Sequence, residues 1–220
     1  APKLAKTVYT YNGKVQKPSV TVKDSTGKPL KAGADYTVNY PKGRKAVGRY
    51  GVQVKLKGKY KGSRTVYFTV KPKGTSISKV TARKKKITVT WKKQTTQTTG
   101  YQIQYSTSSN FKNAKTVTVS KNSTTKKNIT GLKNGKKYYV RVRTYKTVKT
   151  GHKSTKYYST WSKSKKTGGA KKSAPKGNTV YVSPTGKKYH DIKSCAGKHP
   201  IKTALKEAKK NHTPCKKCAM

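Results

Sequence analysis

The chain has 220 residues, with 55 Lys and Arg against four acids and a formal net charge of +51. The acids Asp24, Asp35, Asp191 and Glu207 are scattered, with none between Asp35 and Asp191. Hydrolases built on paired carboxylates, and oxygen-ligated Ca²⁺ or Mg²⁺ sites, need acids grouped in one place, so the composition speaks against both.

Leu, Ile, Val and Phe make up 32 residues of the 220, under the one-fifth that signals disorder at high charge. The order of the residues argues the other way. Sixteen Tyr, two Trp and many Thr supply β-forming side chains that this count omits. No run approaches the ~20 apolar residues of a membrane span. A chain opening Ala1-Pro2-Lys3 without Met reads as a secreted product after signal-peptide removal, or as a chain trimmed at that point. All three Cys lie in the last 26 residues, and an odd number cannot pair fully within the chain.

Residues 1–72 carry short alternating runs separated by turn signals. Ser19–Val22, Asp35–Tyr40, Tyr50–Leu56 and Thr65–Val70 each set apolar or aromatic residues two apart, as half-buried strands require. The spacing predicts a small antiparallel sandwich. Tyr11-Asn12-Gly13-Lys14, Gly33-Ala34-Asp35-Tyr36-Thr37-Val38, Gly48, Lys57-Gly58-Lys59-Tyr60-Lys61-Gly62 and Phe68-Thr69-Val70 carry a resemblance. The block resembles the immunoglobulin-like repeats of secreted and surface proteins of Gram-positive bacteria. That resemblance implies a β-sandwich spacer or adhesive module, not a catalyst.

Breakers at Lys71-Pro72-Lys73-Gly74 open the second block, residues 73–168. Ile87–Trp91 and Tyr101–Tyr105 alternate strictly. Tyr138, Val140 and Val142 share one face of a third strand, and Tyr139, Arg141, Arg143 and Tyr145 the other. Leu132, Gly135 and Tyr138 have the spacing of a tyrosine corner. With Trp91 and Trp161-Ser162, these residues resemble the core markers of a fibronectin type III domain over about residues 75–167. Both tryptophans read as core packing rather than as carbohydrate platforms. The overall expectation is a mainly β chain: two tandem antiparallel β-sandwiches, a basic linker at 169–177, and a small α+β zinc-binding module at 178–220.

In that tail a strand at Thr179–Val182 and a Pro184-Thr185-Gly186 turn precede His190 and Cys195. A helix is predicted from Pro200, with Ile201, Ala204, Leu205 and Ala208 on one face, ending at Asn211. Cys215-Lys216-Lys217-Cys218 is a Cys-x₂-Cys pair, able to grip one tetrahedral ion, and His190 and Cys195 complete a Cys₃His set. Zinc suits these ligands better than hard cations, and four protein ligands make the site structural. His199 is the alternative to His190, and a Cys215–Cys218 disulfide is the alternative to metal. Tyr189-His190, Cys195, Glu207-Ala208-Lys209 and Pro214-Cys215-Lys216-Lys217-Cys218 resemble a short C-terminal module of some secreted bacterial proteins. They resemble more distantly the metal-binding half of Ada-type DNA repair proteins.

The charge exceeds what solubility needs. Forty-nine Lys against six Arg point to broad polyanion binding, because Lys is a mobile point charge while the Arg fork reads shape. The local candidates are Arg83, Lys84, Lys85 and Lys86; Lys163, Lys165 and Lys166; and Arg141 with Arg143. The expected function is a non-enzymatic cationic extracellular adhesin or matrix protein binding wall teichoic acid, extracellular DNA, or sulfated or sialylated glycans. Two alternatives are a self-associating subunit of an extracellular fibre or surface layer, and the targeting region of a secreted or DNA-handling enzyme.

Overall fold

The fold is mainly β, as the alternation implies. The computed structural model describes residues 1–83, 85–167, 179–190, 195–196 and 200–216. The chain divides into two compact units. One holds Ala1–Val80, Thr88–Lys127 and Tyr138–Lys166, and the other Thr81–Ile87, Asn128–Lys137 and Thr167–Met220.

The first strands are β1 (Lys3–Leu4), β2 (Val8–Thr10), β3 (Val20–Thr21), β4 (Tyr36–Asn39), β5 (Gly48–Leu56) and β6 (Ser63–Lys71). They form a four-stranded sheet in the order β2-β6-β5-β4 and a two-stranded sheet, β1-β3. Register sets Tyr50 opposite Phe68 and Val52 opposite Val66, so the alternating apolar residues of β5 and β6 land on one face. That face buries Val52, Phe68 and Val70 against Leu4, Tyr9 and Val20. The Phe68 ring meets Tyr9 edge-on at 5.7 Å and Tyr50 at 5.4 Å. Tyr36, also buried, donates its hydroxyl to the Val20 carbonyl at 3.0 Å and ties the two layers.

The next strands are β7 (Ile77–Arg83), β8 (Lys86–Trp91), β9 (Gly100–Ser106), β10 (Lys115–Val119), β11 (Lys126–Ile129), β12 (Tyr139–Thr150), β13 (Lys153–Tyr158) and β14 (Lys165–Lys166). One sheet runs β10-β9-β12-β13 with β14 on β12, and a second runs β11-β8-β7. Val89, Trp91, Tyr101, Ile103, Val140 and Val142 are buried. Trp91 meets the Tyr101 ring at 5.2 Å, and the Tyr101 hydroxyl donates to the Asn122 carbonyl at 2.9 Å. Thus one large aromatic fills the core while its single polar atom is satisfied.

The described tail has β15 (Thr179–Val182), β16 (Lys188–His190), β17 (Ile201–Ala204), a helix α1 (Leu205–Asn211) and β18 (Thr213–Pro214). Strand order is β17-β15-β16-β18. Val180, Val182, Tyr189 and Ala208 form its core, with Leu205 and Cys215 packed on it. The helix expected from Pro200 is shorter than its apolar spacing suggests. Residues 201–204 instead pair with Thr179–Val182 as a strand, leaving Ile201 exposed. A ladder with β15 satisfies four residues of backbone that a helical turn would have satisfied locally, and tertiary pairing overrides weak propensity. The expected end at Asn211 agrees with the observed one.

Candidate functional site

Among the described residues, the ligand atoms of His190, Cys195 and Cys215 all lie within 4.8 Å of one another. The topology explains how residues distant in sequence meet. Strand β18 runs parallel to β16, with Tyr189 opposite Pro214, and the Cys215 N–H donates to the Tyr189 carbonyl at 3.0 Å. His190 and Cys215 therefore leave neighbouring strands side by side. Cys195 and Cys215 form no disulfide with each other. Cys218 and the alternative ligand His199 lie outside the described residues, as does the 169–177 linker.

The basic candidates fall into different settings. Arg83 and Lys85 are exposed around the β7–β8 turn, where Lys85 has φ of 54° and accepts the Leu132 N–H on its carbonyl. Lys86 is partly buried, and Lys84 lies outside the described residues. Lys163, Lys165 and Lys166 are exposed, but the Lys165 ammonium donates to the Ser78 carbonyl at 2.9 Å.

Arg141 and Arg143 are built differently. Ser159 and Ser162 each clasp β12: the Thr144 and Val142 N–H groups donate to their hydroxyls, both at 3.1 Å. The N–H groups of the two serines return to the carbonyls of Thr144 and Val142. Trp161, held between them, takes Arg143 over its ring at 4.3 Å and Arg141 at 4.9 Å. Phe111 packs on Arg141 and Tyr158 on Arg143, both at 4.0 Å. The order of contacts is Phe111, Arg141, Trp161, Arg143, Tyr158. On β9, Gln104 accepts Arg141 Nε at 2.7 Å, and Gln102 accepts Nε and Nη2 of Arg143 at 3.0 and 2.7 Å. Burial pulls both guanidinium pKa values down. For Arg143 the Tyr158 hydroxyl opposes this, and the neighbouring Arg141 charge adds to it.

One expectation changes here. Trp161 is only partly buried and serves as the central ring of this ladder rather than as sandwich core. Tyr145, placed by the alternation on the strand face of Arg143, is 3% exposed. Its ring lies over Gly100, with Tyr158 at 6.1 Å and the Lys156 ammonium at 5.4 Å. The sequence reading did not find Gln102, Gln104, Phe111 or Tyr158. The one available signal was the matching i, i+2 spacing of Gln102/Gln104 and Arg141/Arg143.

The described carboxylates hold local structure. Asp24 accepts the N–H groups of Thr26 and Lys28 and the Thr26 hydroxyl, and that hydroxyl is the main cause of its lowered pKa. Asp35 accepts the Lys31 N–H at 2.7 Å, and Glu207 pairs with Lys210 at 3.0 Å. A cleft of about 440 Å³ opens in the first sandwich over Val22, Leu30, Val54 and Leu56. Its carboxylate, that of Asp24, is the one bound up in the turn.

Residues 70–160 match the family model described as Fibronectin type III domain. That segment is a fibronectin type III domain. Solved structures similar to the chain include the FN1–FN3 domains of chicken CNTN1, at 21% identity and TM-score 0.35, covering 55% of this chain and 42% of that one. Another is a two fibronectin type III domain segment from chicken tenascin, at 22% identity and TM-score 0.32, covering 53% of this chain and 66% of that one. The chain spans less than two thirds of the length of either. No curated protein matches the chain. Fibronectin type III domains are typically non-catalytic binding or structural modules. Arg141, Arg143 and the rings of Phe111 and Tyr158 all belong to the matched domain, and Trp161 follows its last matched residue. No described helix is long and apolar enough to cross a membrane.

Proposed function

We propose that the protein is a non-enzymatic, highly cationic extracellular adhesin or matrix component. Its immunoglobulin-like and fibronectin type III modules present lysines to polyanions such as teichoic acid, extracellular DNA, or sulfated or sialylated glycans. The observation that carries this is the charge: +51 overall, with no acid between Asp35 and Asp191, so the fibronectin type III domain contains no carboxylate to neutralise its cations. A cationic surface of this kind raises the local concentration of any anionic polymer. Because Lys dominates, charge density governs affinity more than ligand identity does.

A structural zinc in the tail is the second part of this reading. Two thiols and an imidazole within 4.8 Å of one another are soft donors at separations that a tetrahedral ion with bonds of about 2.0–2.3 Å spans with little adjustment. His190, Cys195 and Cys215 would hold the ion with Cys218, and its chemistry would be confined to cross-linking the small core of Val180, Val182, Tyr189 and Ala208. Binding to DNA, heparin and a teichoic acid, each followed as salt is raised, tests the main reading. Steep and similar weakening supports it, and no binding at low salt overturns it.

A further inference from the structure

We propose that Arg141 and Arg143 form a shaped subsite for successive phosphate groups of a linear phosphodiester polymer. This deepens the polyanion reading and rests on it. Two guanidiniums side by side repel, and partial burial weakens their hydration. Such a pair is ordinarily matched by a carboxylate, yet the sequence has none from residue 36 to residue 190. Aromatic faces and glutamine carbonyls hold the cations in place without neutralising them. A guanidinium carries five N–H donors; Gln104 takes one from Arg141 and Gln102 takes two from Arg143. Neither fork is saturated by its glutamine.

The geometry selects the ligand. Rings pack over both guanidiniums, so an anion is received at the N–H edges, where Arg donates pairs of bonds to phosphate oxygens. The two arginines are two residues apart on β12, which sets them about 7 Å apart along the strand. That spacing suits a chain with an anionic group at every backbone repeat. Because the Trp161 ring is engaged by the arginines, it does not serve as a stacking platform for bases, and the phosphodiester itself is what is recognised. The glutamines and the serine clasp fix the forks beforehand, so little side-chain entropy remains to be lost on binding. The surrounding lysines supply attraction at a distance, while these arginines supply selectivity.

The test compares the wild-type chain with the double variant Arg141→Lys/Arg143→Lys, which keeps the charge and removes the forks. Probes are an oligothymidylate, a poly(glycerol phosphate) of similar charge, and poly-glutamate, each at low and high salt. The variant is expected to bind both phosphodiesters about tenfold more weakly at high salt and to lose less for poly-glutamate, whose carboxylates hang on flexible side chains and not at every backbone repeat. If only one phosphodiester loses affinity, its source is identified and the subsite stands. Equal affinities of variant and wild type, or an equal loss for poly-glutamate, overturn the subsite while leaving charge-driven binding intact. Absence of binding to any probe at low salt overturns the polyanion reading as well. Should the double variant unfold, the wild-type Nε–H signals of the six arginines give the answer. Oligothymidylate should shift those of Arg141 and Arg143, and shifts confined to the other four overturn the proposal.

Discussion

Val142 donates its N–H to the Ser162 hydroxyl at 3.1 Å and accepts the Ser162 N–H on its own carbonyl at 2.8 Å. This reciprocal pair continues the hydrogen bonding of β12 where neither β13 nor β14 reaches, and it fixes the chain on which Trp161 rides. Replacing Ser162 with Ala leaves the N–H of a fully buried residue without its acceptor. The expected loss of stability is about 1–3 kcal/mol, measured by urea denaturation. Trp161 fluorescence should become more accessible to quenchers. Unchanged stability and quenching would show that the clasp is incidental.

The parallel pairing of β16 with β18 places His190 beside Cys215, and the predicted consequence is one zinc per chain. Elemental analysis of zinc-replete protein should find it. Chelation should abolish amide protection in the tail strands Thr179–Val182, Lys188–His190 and Ile201–Ala204 while the fluorescence of Trp91 and Trp161, both outside the tail, stays native. Cysteine thiolates and neutral imidazole are the binding forms, so metal should be released as pH falls. Metal-free protein carrying a Cys215–Cys218 disulfide would refute the site.

Much of this was legible in the residues, for reasons that differ by element. Ile87–Trp91 and Tyr101–Tyr105 were readable as strands because a sheet buried on one face writes period two into its sequence. The edge strand β13, Lys153-Ser154-Thr155-Lys156-Tyr157-Tyr158, was not, since its charged and polar residues interrupt the alternation. His190, Cys195 and Cys215 stand out in the sequence as residues that could hold a metal, by type and spacing, although the pairing that brings their ligand atoms within 4.8 Å is a tertiary fact. Trp161 was misread as core because Trp-Ser fits a core marker equally well. Only the folded chain sets that ring between Arg141 and Arg143.

Gly100 offers a test of packing. A Cβ there would run into the Val119 carbonyl and lie 3.0 Å from two atoms of the Tyr145 ring, so backbone as well as side chain would have to give. Gly100→Ala should cost about 3 kcal/mol. Gly58 has φ of +61° and open space around it, so Gly58→Ala should cost only about 1 kcal/mol, from backbone strain. Denaturant midpoints of the two variants should separate clearly. Similar midpoints would mean that β9 and β10 can part at little cost.

Burial raises the pKa of Tyr40, Tyr50, Tyr105 and Tyr145, with Tyr158 adding to the shift of Tyr145 and Tyr138 to that of Tyr105. A raised folded pKa means that the unfolded chain loses its proton first. The stabilisation is whole below the ordinary tyrosine value of 10.0 and is lost as pH climbs through the folded values. Phenolate absorbance of the folded protein should therefore be completed at higher pH than that of the same protein in denaturant. Coinciding curves would contradict the upward shift at these four rings.

The lysine clusters test the non-selective part of binding. Exposed cations release counterions when they meet phosphate, and each contact on duplex DNA contributes roughly −0.9 to the slope of log affinity against log salt. Replacing Lys163 and Lys166 with Gln should flatten that slope by nearly two if both touch DNA, and should weaken heparin and teichoic acid by similar factors. Lys165→Gln should change it less, because the Lys165 ammonium is already drawn to the Ser78 carbonyl. Arg83 and Lys85, exposed at the β7–β8 turn, should behave like Lys163 and Lys166. An unaltered slope in all of these variants would mean that the polyanion touches neither cluster. A loss confined to one ligand would mean that these lysines read structure instead of charge.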